Sequence, residues 1–175
     1  MVKPNNLRKV SIARLKQEMQ DTVFLSDDLA ITTIDYLRNP TSEIPVSLDG
    51  FAAMIMMSGS AVLSIDTETY EVRPNMLVFF RPGSIIRTIR CSSDATAYLV
   101  ACSKAFVSDI QVDISASLPI HMRFGRKPCL QVTERDVAEI RQFFQLIKTV
   151  IQSDKERYRK EICMNWSKST SQRPC

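Results

Sequence analysis

Between residues 51 and 103 the apolar positions fall in short alternating runs, each closed by a turn of Gly, Pro, Asn or Asp. The runs cover 51–57, 60–65, 70–72, 76–80, 85–91 and 95–103. The turns fall at Ser58-Gly59, at 66–68, at Arg73-Pro74-Asn75 and at Arg81-Pro82-Gly83-Ser84. Strands this short at this spacing predict an antiparallel sandwich or barrel. A weaker alternation over 29–35 predicts a strand before them. Arg38-Asn39-Pro40-Thr41-Ser42 predicts a turn, because a residue before proline avoids the helical region and Asn and Ser favour loops.

Helical spacing replaces alternation at both ends. Residues 7–20 carry Ile12, Leu15 and Met19, which predicts a short helix or a charged arm. Residues 104–110 suit one helical turn, and 113–127 read as irregular, with Pro119, Gly125 and Pro128 as breakers. Thr133 is a natural N-cap, Asp136 stands three residues on, and Val132 and Val137 occupy the two positions of a hydrophobic staple. The helix they start is predicted over 134–152. Its apolar residues Val137, Ile140, Phe144, Ile147 and Ile151 alternate three and four apart, and Phe143, Leu146 and Val150 widen the stripe. A helix that covers only its own domain needs a stripe of about 100°. The extra width suits a second helix or a partner subunit; three-four spacing favours the partner and makes Val137, Ile140, Phe144, Ile147 and Ile151 the predicted dimer interface. Ser153 and Glu156 restart the helical signal, predicting a basic helix over 155–166 with Tyr158, Ile162 and Trp166 on one face. The chain thus divides into an arm or short helix (1–28), a barrel (29–128), a helical dimerisation element (129–167) and a polar tail expected to be disordered (168–175).

At 175 residues the chain suits one domain with an appended helical piece. No apolar run approaches the roughly 18 residues of a membrane span, and the N-terminus carries no apolar secretion segment. Five cysteines, odd in number and scattered, with no CxxC pair, argue against a disulfide framework and against zinc. A cytoplasmic location is expected. The net charge of +4 is uneven: from Arg123 onward twelve Lys and Arg face six Asp and Glu. That balance is met by a solvated helix surface more often than by a nucleic-acid footprint.

Little catalytic chemistry fits. His121 is the only histidine, which removes His-based metal triads, Ser-His-Asp arrangements and HExxH. Four glycines leave no GxGxxG or GxxxxGK[ST] loop. Cys91 and Cys102 lie at strand ends with no base beside them in sequence, which suits buried, inert thiols. Asp66, Glu68 and Glu71 sit in and beside a hairpin turn, where acidic residues are common. No enzyme, cofactor or metal is expected.

The run Met57-Ser58-Gly59-Ser60-Ala61-Val62-Leu63-Ser64-Ile65, then Tyr70-Glu71-Val72, then Met76-Leu77-Val78-Phe79-Phe80-Arg81-Pro82-Gly83, resembles the cupin barrel. In particular it resembles the N-terminal sensor domain of AraC-type transcription regulators, over about residues 29–166 with the helices included. The resemblance implies a double-stranded β-helix followed by a long helix and a second helix. It also implies a small-molecule effector, a homodimer, and DNA contact only through a C-terminal helix-turn-helix module that has no room after Trp166. Metal-binding cupins place ligands where this chain has Val46, Leu48, Ala52 and Ile86, all apolar. A metal-free sensor is the leading expectation. A stand-alone cupin enzyme or binding protein for a sugar or small acid is the alternative, and the missing Gly-Glu pair sets aside a cyclic-nucleotide sensor.

If Ile86 points inward, alternation sends Thr88 and Arg90 inward with it and Arg87 and Ile89 out. Arg90 then contacts an anionic or hydroxyl-rich ligand, or stands in water at the barrel mouth beside Ser92-Ser93-Asp94. Ala97, Leu99 and Ala101 share one face of the last strand and leave room for a ligand. The expected ligand-binding residues are therefore Ile86, Thr88, Arg90, Ala97 and Leu99, with a sugar or small acid as effector.

Overall fold

The computed structural model describes residues 7–18, 22–35, 44–109 and 127–152. The chain begins with β1 (Arg8–Val10), α1 (Ile12–Glu18), β2 (Val23–Leu25), β3 (Leu29–Asp35) and β4 (Val46–Leu48). The central run is β5 (Phe51–Ser58), β6 (Ala61–Ile65), β7 (Glu68–Val72), β8 (Met76–Phe80), β9 (Ile85–Cys91) and β10 (Thr96–Cys102). It ends with α2 (Lys104–Asp109), β11 (Cys129–Gln131) and α3 (Glu134–Gln152). The expectations for 155–166, for the tail, for His121 and for the Pro40 turn lie outside the described residues.

The strands form a five-stranded sheet, β1-β4-β9-β6-β7, and a six-stranded sheet, β11-β8-β5-β10-β3-β2. From β4 to β10 the chain passes repeatedly from one sheet to the other, a jelly-roll winding of the cupin kind. Among the described residues every pairing is antiparallel except β1 with β4, which is parallel. Of the sandwich or barrel expected from the strand spacing, the structure has two facing sheets, and among the described residues no hydrogen-bonded ladder joins them.

The turn residues explain the spacing. Gly59, Asp66, Asn75 and Gly83 all take positive φ, at 67°, 55°, 65° and 84°. Gly reaches that region freely, and Asn and Asp pay less for it than other side chains. Between the sheets lies the larger core, built on Met54, Met56, Leu63, Ile65, Val72, Val78 and Phe80. Ile12 joins it from α1, and Leu15 packs against it. A second core lies outside the six-stranded sheet, where Phe144, Ile147 and Ile151 of α3 meet Leu25, Leu29, Ile31 and Phe106.

That second core takes up most of the stripe assigned to a dimer interface. Val137, Phe144, Ile147 and Ile151 are buried within their own chain, and Ile140 is half-buried beside them. The outer face of β3 and β10 is as apolar as the inner one, so α3 spends its main stripe covering it. Phe143, beside that stripe, is half-buried against the same core, and Leu146 is 42% exposed.

Candidate functional site

Strand β10 is apolar on both sides, and the period of two sorts its residues. Ala97, Leu99 and Ala101 face the space between the sheets. Tyr98, Val100 and Cys102 face α3. Tyr98 stacks on Phe144, the ring centroids 4.2 Å apart and the planes 9° from parallel.

Four of the five residues expected to meet a ligand face the inter-sheet space. Ile86 and Leu99 are half-buried against the larger core, and Ala97 is fully buried in it. Thr88 is half-buried and pairs with Leu63, a core residue, so its hydroxyl lies on the inner face too. The fifth does not. Pairing of β6 with β9 shifts between Val62 and Leu63: Leu63 meets Thr88, but Val62 meets Arg90, which leaves Ile89 as a bulge. A bulge inserts one residue and reverses the alternation beyond it. Arg90 therefore stands exposed on the outer face beside Val62, and Cys91 takes the inward place opposite Ala61.

One flank of the inter-sheet space is less covered than the rest. Among the described residues, β4 pairs with β9 only at Ile85 and Ile86, and β2 pairs with β3 only from Leu29 to Ile31. At and beyond those points Ile34, Ile86, Thr88 and Leu99 point inward yet are only half-buried. Strand β3 adds two residues to this wall: Thr32 pairs with Leu99, and Ile34 with Ala97. Thr32 is 3% exposed, and its hydroxyl reaches the Thr33 carbonyl at 3.4 Å, a long bond. Sequence reasoning missed both, although the alternation over 29–35 sets Ala30, Thr32 and Ile34 on one face.

The described residues of this wall, Thr32, Ile34, Ile86, Thr88, Ala97 and Leu99, carry hydroxyls and hydrocarbon and no charge. Two hydroxyls among apolar groups can orient a ligand without neutralising one. Two of the positions where metal-binding cupins have ligands, Val46 and Ile86, are direct pairing partners here and both half-buried.

A family model described as the AraC-like ligand binding domain matches residues 42–162. No curated protein matches the chain. Among solved structures, ToxT from Vibrio cholerae, bound to (E)-4-(8-methylnaphthalen-1-yl)but-3-enoic acid, aligns at 10% identity and a TM-score of 0.44. That alignment covers 81% of this chain and 56% of ToxT, so this chain spans about half of that protein. A putative mannose-6-phosphate isomerase from Ralstonia eutropha aligns at 14% identity and a TM-score of 0.38, over 47% of this chain and 82% of its own. A cupin superfamily protein from Desulfitobacterium hafniense aligns at 11% identity and a TM-score of 0.36, over 47% of this chain and 74% of its own.

Proposed function

This chain belongs to the AraC-like ligand binding domain family, and from that premise we propose that it is the effector-sensing and dimerisation half of a bacterial AraC-type transcription regulator. It acts without catalysis, in the cytoplasm, and reaches DNA only through a helix-turn-helix half outside these residues. The effector is a small uncharged molecule bearing hydroxyls, such as a sugar, seated between the sheets against Thr32, Ile34, Ile86, Thr88, Ala97 and Leu99. With Arg90 on the outer face, the reason to expect a small acid at this wall falls away.

One observation carries the reading. The two faces of β10 belong to two cores, Ala97 and Leu99 to the one between the sheets, Tyr98 and Val100 to the one under α3. A ligand that favours one position of Leu99 therefore also biases Tyr98 and the helix stacked on it.

A thermal-shift screen of neutral sugars and polyols, repeated on Thr88→Val and Leu99→Trp, tests the reading. A hit whose shift is lost in both variants supports it. A stoichiometric bound metal with no sugar response overturns it in favour of a cupin enzyme.

A further inference from the structure

The five-stranded sheet turns its outer face away from α3, and that face is open: Ile85 is 40% and Ile89 50% exposed. Ala61, Leu63, Tyr70, Val72 and Ile86 belong to the inner core, so alternation sets Val62, Ser64, Thr69, Glu71 and Arg87 on the outer face. The bulge adds Arg90. The ladders align these side chains in two rows across β7, β6 and β9: Glu71, Val62, Arg90 and Thr69, Ser64, Arg87.

Both rows are lopsided in the same sense, with arginine on β9, a small side chain on β6, and a carboxylate or hydroxyl on β7. Among the described residues Arg87 and Arg90 have no hydrogen bond or ion pair, and both are exposed. Glu71 accepts from Arg73 at 3.1 and 3.3 Å, and its carboxylate has lone pairs for further donors. A face with base on one side of a strand and acid on the other is its own complement. A half-turn about the axis of β6 lays β9 of one copy over β7 of the next and keeps each row opposite itself. Packed sheets lie about 10 Å apart and cross at about 30°, a gap that an arginine and a glutamate reaching toward each other can span. A partner of one charge sign would meet an unfavourable side of the same face.

We infer that the outer face of the five-stranded sheet pairs with a second copy of this chain about a two-fold axis along β6. Val62 meets Val62 of the partner subunit on the axis, and Arg90 meets Glu71 of the partner subunit on each side of it. Ile89, the most exposed large apolar side chain of the described residues, covers the edge strand β7 of the other copy. The inference rests on the homodimer proposed above and gives that dimer a surface on the far side of the sandwich from α3.

Light scattering of the 175-residue chain over a concentration series, with Arg90→Glu, Glu71→Arg and the double reversal, tests the inference. A parent dimer is expected, weakened about tenfold or more by each single reversal and restored by the double one. A dimer that neither reversal weakens overturns this face and leaves the homodimer reading standing, and a monomer at every concentration overturns both. Weakening that the double reversal fails to restore overturns the axis along β6. Both substituted residues are exposed, and melting curves establish that the variants fold.

Discussion

Tyr98 and Phe144 lie face to face, 4.2 Å between ring centroids, and link the six-stranded sheet to α3. Phe144 is 1% exposed, and its neighbours in the outer core are Leu25, Leu29 and Ile31. Phe144→Ala is expected to cost about 3–5 kcal/mol, because it removes a large buried side chain and leaves a cavity. Tyr98→Leu and Phe144→Leu keep most of the volume and delete the stack. A double-mutant cycle on these two, followed by urea unfolding, should give a coupling of about 0.5–1.5 kcal/mol. A coupling near zero would mean that the rings are neighbours without being partners.

Most of the long elements were legible, and the failures have specific causes. Strands 29–35, 76–80 and 85–91 and the 134–152 helix were all placed as the structure has them, since alternation, turn residues and the Thr133 cap agree locally. Strands β1, β2, β4 and β11 were missed. Each is three residues long and exists because a neighbouring strand offers it a ladder, which no local window contains. Of the two places that the sequence leaves open for Arg90, the structure has the solvent-exposed one, because a bulge set by the pairing partner turns the side chain outward. The stripe of α3 was given to a partner subunit although a clue lay in β10: Tyr98, Val100 and Cys102 alternate with Ala97, Leu99 and Ala101, so both faces need cover. A strand apolar on both faces asks for a helix from its own chain before a second copy is invoked.

The exposed Leu146 of α3 makes a sharper dimer prediction. If the chain pairs through the side of α3 that exposes Leu146, Leu146→Glu should halve the mass seen by light scattering. Leu146 is 42% exposed, so the same change should alter monomer stability by no more than about 0.5 kcal/mol. An unchanged mass would place any pairing surface elsewhere.

The start of α3 is closed by a reciprocal cap. The Asp136 N–H donates to the Thr133 hydroxyl oxygen at 3.2 Å, and the Thr133 N–H donates back to the Asp136 carboxylate at 2.9 Å. Thr133→Ala should cost about 1 kcal/mol at pH 7 by urea unfolding. Hydrogen bonds from the Thr133 hydroxyl and N–H hold the Asp136 carboxyl below its usual range. A carboxyl with a lowered folded pKa stabilises above its unfolded value and loses that contribution as pH falls through the folded one. The cost of Thr133→Ala should therefore shrink on going from pH 7 to pH 3. An equal cost at both would assign the cap to the hydroxyl alone.

Gly59 and Gly83 separate backbone strain from crowding. Both take positive φ, but a Cβ on Gly59 would lie 2.6 Å from the Ala95 Cα, whereas one on Gly83 meets nothing within 4 Å. Gly83→Ala should cost about 1–2 kcal/mol, the left-handed backbone penalty. Gly59→Ala should cost clearly more, since backbone on the facing segment must move. Equal losses in thermal unfolding would remove the crowding argument.

Two thiols tie the cores to alkaline pH. Burial pushes Cys102, in the outer core under α3, up to about 11, and does the same to Cys129 at the edge of the inner one. A thiol that ionises later in the folded chain than in the unfolded one gives its full stabilisation below the unfolded value of 9.0. Above that value the unfolded chain loses its proton first, so stability falls as pH rises toward about 11. Lysines and tyrosines titrate in the same window, and Cys102→Ala isolates the thiol's share. Melting temperatures of the parent and of Cys102→Ala, measured from pH 8 to pH 11, should diverge at the low end and converge at the high end, with the variant's curve the flatter. Parallel curves would mean that Cys102 ionises at the same pH in the folded and the unfolded chain. Native Cys102 should also resist alkylation at pH 8 and react once urea unfolds the outer core, because only the thiolate attacks.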